Sequence, residues 1–294
     1  MQIIIPMSGF GERFRSAGYD TPKPLIEVDG KPIIEHIVEM FPGNTNFIFI
    51  CNKDHLYKPQ YKMKEILNNC CPNGKIVGIK AHKKGPVYAV LQAKKFIDLS
   101  EPSIVNYCDF TCYWDWDHFN KFVRESDMHG AIPAYKGFHP HSLGDTKYAY
   151  LKEDSGLVSD IQEKKPFTKN SMDEYASSGT YFFKSGKLMI DCFEETIKRN
   201  LNIAGEYYVS LAYKILLEDQ KKIGVYPLQH FMQWGTPEDL EEYQQWSNTF
   251  LSLISSNQYN ENIKSILIIP MAGLGKRFSN KGYKLPKPLI PVSG

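Results

Sequence analysis

Short β-branched runs alternate with segments of helical periodicity through the first half of the chain. Residues 2–6 predict a strand, and residues 32–41 predict a helix with Ile33, Ile34, Ile37 and Val38 on one face. Strands are predicted at 46–51, 75–81 and 103–108. Between and after them, helical patterns end near residue 69 and cover 87–97 and 118–124. This strand–helix alternation predicts an α/β fold with a mostly parallel central sheet and helices on both faces. The later half reads differently. Residues 148–153 and 158–163 flank Asp154-Ser155-Gly156, which is a hairpin signal. A further strand at 178–183 and helices at 188–199 and 207–217 follow. These elements predict a small antiparallel portion beside the main sheet.

One stretch of the pattern returns. Residues 3–30 and 267–294 align without a gap, with 17 of 28 positions identical. A period of this length is the size of a domain rather than of a solenoid repeat. The expected organisation is a first domain over 1–247, a Ser- and Asn-rich linker over 248–265, and the truncated start of a second, repeated domain over 266–294. A single strand and loop cannot bury a core alone, so the second copy reads as the opening of a longer unit.

Composition narrows the classes. The net charge is +2 with both signs interspersed, which argues against a nucleic-acid or membrane surface. The opening apolar run breaks at Pro6, too short for a signal peptide, and no run of 18 apolar residues exists. None of the six cysteines forms a Cys-x-x-Cys pair, so they read as reduced thiols in a cytoplasmic protein.

The repeated stretch carries the chemistry. Pro6-Met7-Ser8-Gly9-Phe10-Gly11-Glu12-Arg13-Phe14 follows a strand, and residues 270–278 restate it. Gly9 and Gly11 let backbone N–H groups approach phosphate oxygens, and Arg13 adds a forked cation. Lys23 supplies a second cation between Pro22 and Pro24, which restrict its backbone. A dinucleotide-binding loop would want a third glycine near Phe14 and an acid after the second strand, where Cys51-Asn52 stands. A P-loop would want Gly-Lys-Ser/Thr, which is absent. A purely structural turn explains neither Arg13 nor Lys23.

With Gly-x-Gly-x-Arg at 9–13 and Lys-Pro-Leu at 23–25, the chain resembles the sugar-1-phosphate nucleotidyltransferase family over residues 1–247. The resemblance implies a nucleotide-diphospho-sugar transferase fold, Rossmann-like in its sheet. It further implies that Met7, Ser8, Gly9, Phe10 and Gly11 bind the nucleotide, with Arg13 and Lys23 catalytic on its phosphates. Lys84–Ala89 resembles the base-binding segment with Pro86 in place of Thr, which brings in His82, Gly85 and Pro86. Asp109, ending an apolar strand, matches the magnesium-binding aspartate. Glu163-Lys164, followed by an extra Lys165 before Pro166, resembles the segment whose lysine meets the acceptor phosphate, so Lys164 is the third catalytic residue. Gly179 and Glu206 fall in the acceptor-binding strand and loop, and Gly235-Thr236-Pro237 matches a late signature.

One position departs from the family. A second metal-binding aspartate usually stands two residues before the Gly-Thr-Pro, and here it is Gln233, a much weaker magnesium ligand. Either one carboxylate with triphosphate oxygens suffices, or another acid substitutes. Asp115 and Asp117 are the candidates, although capping of the following helix explains both. His139-Pro140-His141 has no third metal ligand in sight and reads as a surface loop. Tyr113, Trp114 and Trp116 could equally line an acceptor pocket or pack, and so could Tyr207 and Tyr208.

The expected reaction joins a nucleoside monophosphate, from CTP or UTP by preference, to a small phosphorylated acceptor with Mg2+ as cofactor. The favoured acceptor is a sugar 1-phosphate, and the product a precursor of capsule or surface polysaccharide. The alternatives are a CTP-dependent cytidylyltransferase acting on a non-sugar phosphate such as phosphoglutamine, and a degenerate nucleotide-binding regulatory domain. A nucleotide-sugar glycosyltransferase shares the fold but lacks the Arg13 and Lys23 constellation. A homo-oligomer is compatible with all of these, and neither nucleic acid nor membrane is an expected partner.

Overall fold

The computed structural model describes residues 1–139, 147–255, 275–285 and 287–290. Its first strands are β1 (Gln2–Met7), β2 (Glu27–Val28), β3 (Lys31–Pro32), β4 (Phe47–Asn52), β5 (Lys75–Ile79), β6 (Ser103–Asn106) and β7 (Phe110–Tyr113). There follow β8 (Gly130–Tyr135), β9 (Ala149–Asp154), β10 (Leu157–Glu163), β11 (Tyr175–Ser177), β12 (Thr180–Phe183), β13 (Ile223–Pro227) and β14 (His230–Gln233). Ten of them form one sheet in the order β11-β9-β10-β13-β8-β12-β6-β1-β4-β5. The pairs β2–β3 and β7–β14 stand apart as small antiparallel ribbons.

β1 is the axis of the parallel half, pairing with β4 on one side and β6 on the other. Its side chains alternate between two cores: Ile3, Ile5 and Met7 face one, and Ile4 faces the other. The helix Ile33–Glu39 contributes to the first core, and the helices Gly85–Gln92, Gly186–Lys198 and Val209–Glu218 to the second. Both faces are therefore covered, as the alternation predicts.

The expectation of a mostly parallel sheet is corrected. Four pairings are parallel, β1–β4, β1–β6, β4–β5 and β8–β13. Six are antiparallel. β11 also pairs with β8, so β8, β11, β9, β10 and β13 close into a five-stranded ring of mixed direction. The physical reason lies in the connections. The strand–helix alternation that forces parallel pairing runs only to β6, whereas β9 and β10 are joined by Ser155 (φ 53) and Gly156 (φ 82), a two-residue hairpin turn.

The ring closes at a kink. One edge of β8 pairs first with β12, at Gly130 and Ala131, and then with β11, at Ala134 and Tyr135. The break between β11 and β12 is Ser178-Gly179, and Gly179 has φ +100, which an L side chain rarely adopts. Opposite the break is Pro133, whose carbonyl accepts from both the Ser178 N–H and hydroxyl at 3.0 Å. A strand residue points its N–H and C=O to the same side, so the donor that proline lacks would face the break. A proline inside a buried strand is tolerated for that reason. Pro133 also explains why the residue pattern predicts no strand at 130–135.

Two long-range ties hold elements that the periodicity leaves unconnected. Gln2, fully buried, donates to the Asp98 carbonyl (2.6 Å) and Ser103 Oγ (2.9 Å) and accepts from the Asp98 N–H (3.1 Å). The segment ahead of the helix Gly85–Gln92 is clasped to a distant loop by backbone alone. Tyr207 N donates to the Lys84 carbonyl at 3.0 Å, and Val87 N donates to the Tyr207 carbonyl at 3.1 Å. Gly85 sits inside this clasp at φ +79, and a Cβ there would lie 2.8 Å from Tyr207 N.

Near the chain's end the repeat reproduces local geometry. Gly275 (φ 57) precedes the helix Lys276–Ser279 as Gly11 (φ 66) precedes the helix Glu12–Ser16. Lys287 Nζ lies 5.4 Å from the Phe278 ring centre, and Lys23 Nζ lies 5.3 Å from that of Phe14. Residues 256–265 of the expected linker, the strand and loop at 266–274, and Pro140-His141 lie outside the described residues. No helix among the described residues is long and apolar enough to cross a membrane.

Gln2→Leu should lower the unfolding free energy by about 2–4 kcal/mol, because it strands the Asp98 backbone groups without partners. Urea denaturation measures this, and a loss below about 1 kcal/mol would show that the amide is not needed. Gly85→Ala should cost about 2 kcal/mol or more in the same assay, through its positive φ and the displaced clasp. An unchanged midpoint would contradict the clasp.

Candidate active site

A cleft of about 540 Å³ opens beyond the carboxyl ends of β1 and β6. In open α/β sheets ligands bind beyond those ends. Its first wall is lined by Ser8, Gly9, Phe10, Gly11, Arg13, Lys23, His82, Gly85, Pro86 and Asp109. Its second wall carries Glu163, Lys164, Ser177, Gly179, Glu206 and Tyr208. The structure thus gathers every expected site residue except Met7, whose side chain is buried in the core at 3 % exposure and does not line the cleft.

On the first wall the cations are held by local structure. Lys23 begins a single 3-10 turn, Lys23–Leu25, between prolines, and its ammonium lies over the Phe14 ring. Its Nζ donates to the Gly235 carbonyl at 3.3 Å and stands 3.4 Å from Asp109 Oδ2. Lys23 is therefore aimed by three groups from distant parts of the chain. Arg13 is exposed in the helix Glu12–Ser16 at the mouth of the cleft. Lys83 pairs with Glu12 at 2.7 Å across that mouth, an exposed contact of small energetic weight.

His82 packs edge-on against Tyr88, with ring centres 4.7 Å apart. Its Nδ1 accepts from the Lys84 N–H at 3.2 Å, which places the proton of the neutral ring on Nε2. Burial, with the Lys84 charge beside it, lowers its pKa and favours that neutral form.

The second wall is a chain of polar contacts. Lys164 follows β10 with φ 57, and its N–H donates to the Tyr148 carbonyl at 2.8 Å. Its Nζ donates to Tyr208 Oη at 2.6 Å, and that hydroxyl donates to Glu206 Oε2 at 2.8 Å. A neutral phenol thus stands between the ammonium and the carboxylate, and Lys164 lies on the cleft wall. Glu163 accepts from the Ser210 hydroxyl at 2.6 Å, and burial raises its pKa. Carboxylates and hydroxyls beside a lysine suit a ligand with an anionic end and several hydrogen-bond donors.

Of the remaining candidates, all but Tyr208 are held in structural contacts or stand away from the cleft. Asp115 accepts from the His118 N–H at 2.8 Å as N-cap of the helix Trp116–Glu125, and Asp117 lies in its first turn. Trp114 and Trp116 pack on Phe41 and Phe119, and Trp114 Nε1 donates to the Met40 carbonyl. Tyr113 is 65 % exposed and does not line the cleft. Tyr207 serves through its backbone clasp, whereas Tyr208 reaches the cleft. His139 bonds the Phe231 carbonyl at 2.9 Å, and burial lowers its pKa. Cys108 lines the cleft, but burial pushes its thiol up to about 12, so it is no nucleophile near neutral pH. Among the described residues no group of three or more His, Cys, Asp or Glu could hold a metal ion.

Tyr107 and Tyr148 also line the cleft and carry no motif. The available hint for Tyr148 is strand alternation, which puts it on the face of Tyr150.

The family model for nucleotidyl transferases matches residues 2–244. The chain is 25 % identical over 264 residues to the bifunctional protein GlmU of Methanocaldococcus jannaschii, covering 90 % of this chain and 58 % of that protein. It is 27 % identical over 197 residues to the mannose-1-phosphate guanylyltransferase catalytic subunit beta of Danio rerio, covering 64 % of this chain and 51 % of that one. The chain therefore spans between half and three-fifths of the length of these curated relatives. The crystal structure of the nucleoside-diphosphate-sugar pyrophosphorylase from Vibrio cholerae RC9 superposes with a TM-score of 0.67 at 19 % identity, covering 83 % of this chain and 100 % of that one. That likeness carries the fold, and the match over residues 2–244 carries the assignment: the chain belongs to the nucleotidyl transferase family.

Proposed function

We propose that this chain transfers a nucleoside monophosphate from a nucleoside triphosphate to a small phosphorylated acceptor, a sugar 1-phosphate by preference. CTP or UTP is the favoured donor. An acceptor phosphate oxygen bonds to the α-phosphorus, the bond from that phosphorus to the bridging oxygen breaks, and pyrophosphate leaves. The observation that carries this reading is that Arg13, Lys23 and Lys164, from distant parts of the chain, line one cleft. Nucleotide activation would supply precursors of a surface polysaccharide, a role that rests on the resemblance of residues 1–247.

The chemistry asks little beyond charge and position. A phosphate monoester is already largely ionised near neutral pH, its second pKa being about 6. No general base is needed. What opposes the reaction is repulsion, roughly 4 kcal/mol for two unit charges about 4 Å apart at an effective dielectric of about 20. Arg13 and Lys23 would draw charge from the triphosphate while Lys164 holds the acceptor phosphate. Lys164 would exchange its bond to Tyr208 for one to the incoming phosphate.

Asp109, 40 % exposed beside Lys23, fits a Mg2+ ion that takes its other ligands from phosphate oxygens and water. When bound, the ion supplies further positive charge against the triphosphate. The repeat at 266–294 is read as the start of a second unit of the same kind, which the matching geometry at Gly275 and Lys287 supports. Gln233 favours a second reading, a nucleotide-binding regulatory unit without turnover.

Mixing four nucleoside triphosphates with a panel of sugar 1-phosphates and small non-sugar phosphates should release pyrophosphate for one pair. Nucleotide binding without release from any pair would favour the regulatory unit. Lys23→Ala and Asp109→Asn should each lower turnover at least about tenfold. Lys164→Ala should raise KM for the acceptor by about tenfold while leaving KM for the nucleotide within about twofold. A near-normal value in any variant would remove that residue's role.

A further inference from the structure

Within the cleft-lining run 8–13, Glu12 is the one acid, set between Gly11 and Arg13. A carboxylate there opposes the approach of phosphate, and the local fold does not require it. Gly11, φ 66, turns the chain into the helix Glu12–Ser16, and no side chain caps that helix. The restated loop makes the same turn at Gly275, φ 57, with Lys276 in the place of Glu12. The turn therefore forms with either sign of charge after the glycine. Glu12 meets its partner across the mouth of the cleft, where Lys83 Nζ stands 2.7 Å from its Oε1. Lys83 itself lines the cleft. Its neighbour Lys84 does not, and lies over the Tyr88 ring, 4.7 Å from the ring centre.

We propose that Lys83 is a further ligand of the nucleotide's phosphates. Glu12 holds it beside the loop, and Lys83 exchanges that carboxylate for a phosphate oxygen when the nucleotide binds. Charge sets the direction of the exchange. A triphosphate carries roughly four negative charges near neutral pH against one on Glu12, so the ammonium gains by moving. The bond it gives up is largely exposed and therefore weak. An ammonium offers three donors at the end of a flexible four-carbon stem, so it can turn to phosphate without a backbone shift. Without Lys83, the Glu12 carboxylate would face the incoming phosphates uncompensated. Glu12 in turn keeps a long side chain at the loop rather than in bulk solvent.

This inference rests on the reading of residues 8–13 as the phosphate-binding loop, and calorimetric titration of the intact chain separates the two. The ligands are CTP, UTP and the monophosphate of whichever binds. Lys83→Ala should weaken triphosphate binding at least about fivefold. The monophosphate carries less charge and should lose less. Lys80→Ala removes an equal charge from an exposed residue that does not line the cleft. It should leave triphosphate affinity within about twofold. Glu12→Gln removes the competing partner and should leave triphosphate affinity equal or higher. Lys83→Ala should also keep the urea midpoint of the unsubstituted chain, since an exposed pair adds little stability. A smaller loss in a folded Lys83→Ala chain would overturn the inference. So would equal proportional losses for monophosphate and triphosphate, or a loss in Lys80→Ala or Glu12→Gln as large as in Lys83→Ala. Failure of both triphosphates to bind the unsubstituted chain would instead overturn the reading of the loop.

Discussion

Tyr107, Cys108 and Asp109 leave β6 as irregular backbone at the floor of the cleft, and irregular backbone so placed must find partners outside a regular ladder. It finds them in three later parts of the chain. Tyr107 N donates to the Gly179 carbonyl at 3.0 Å, Trp234 N donates to the Asp109 carbonyl at 2.7 Å, and Val209 N donates to Tyr107 Oη at 3.1 Å. The kinked strand, the turn after β14 and the start of a helix in the second core are thereby pinned to one short segment. Those bonds tie cleft-lining Tyr107 and Asp109 to the parts of the chain that bring Gly179 and Gly235 to the same cleft.

Given that frame, charge is distributed with little left to side-chain freedom. Lys23 is restrained by prolines, by an aromatic face and by a carbonyl and a carboxylate. Lys164 donates to the Tyr208 phenol, which in turn donates to Glu206, so its ammonium is oriented along a chain of hydrogen bonds. The Gln233 amide likewise presents a donor to Asp239 where an acid would add a like charge.

The kink at Gly179 gives the fold its two characters. On one side of it β12 runs antiparallel to β6 at the edge of the parallel half, and on the other β11 turns to close the ring. Closure covers sheet edges and brings Lys164, at the end of β10, to the cleft.

The first wall was legible from residue order because its chemistry is local. Glycines, Arg13 and the Pro-Lys-Pro run act within a few residues of one strand, and their return at 270–288 marked them as a unit. The hairpin at 154–156 was legible for the same reason, since turn geometry is written in adjacent residues. The direction of the sheet was not. Strand β8 is interrupted by Pro133 and β13 by Gly224, and their pairing partners lie far along the chain, where periodicity carries no information. The contacts of Gln233 were equally out of reach, because its amide meets Tyr148 and Asp239 only when the fold brings them to its two ends. Lys23 and the Gly235 carbonyl, 212 residues apart, meet for the same reason. Local order chose which cations and glycines stand together at the first strand, and long-range hydrogen bonding decided which distant residues join them in lining one cleft.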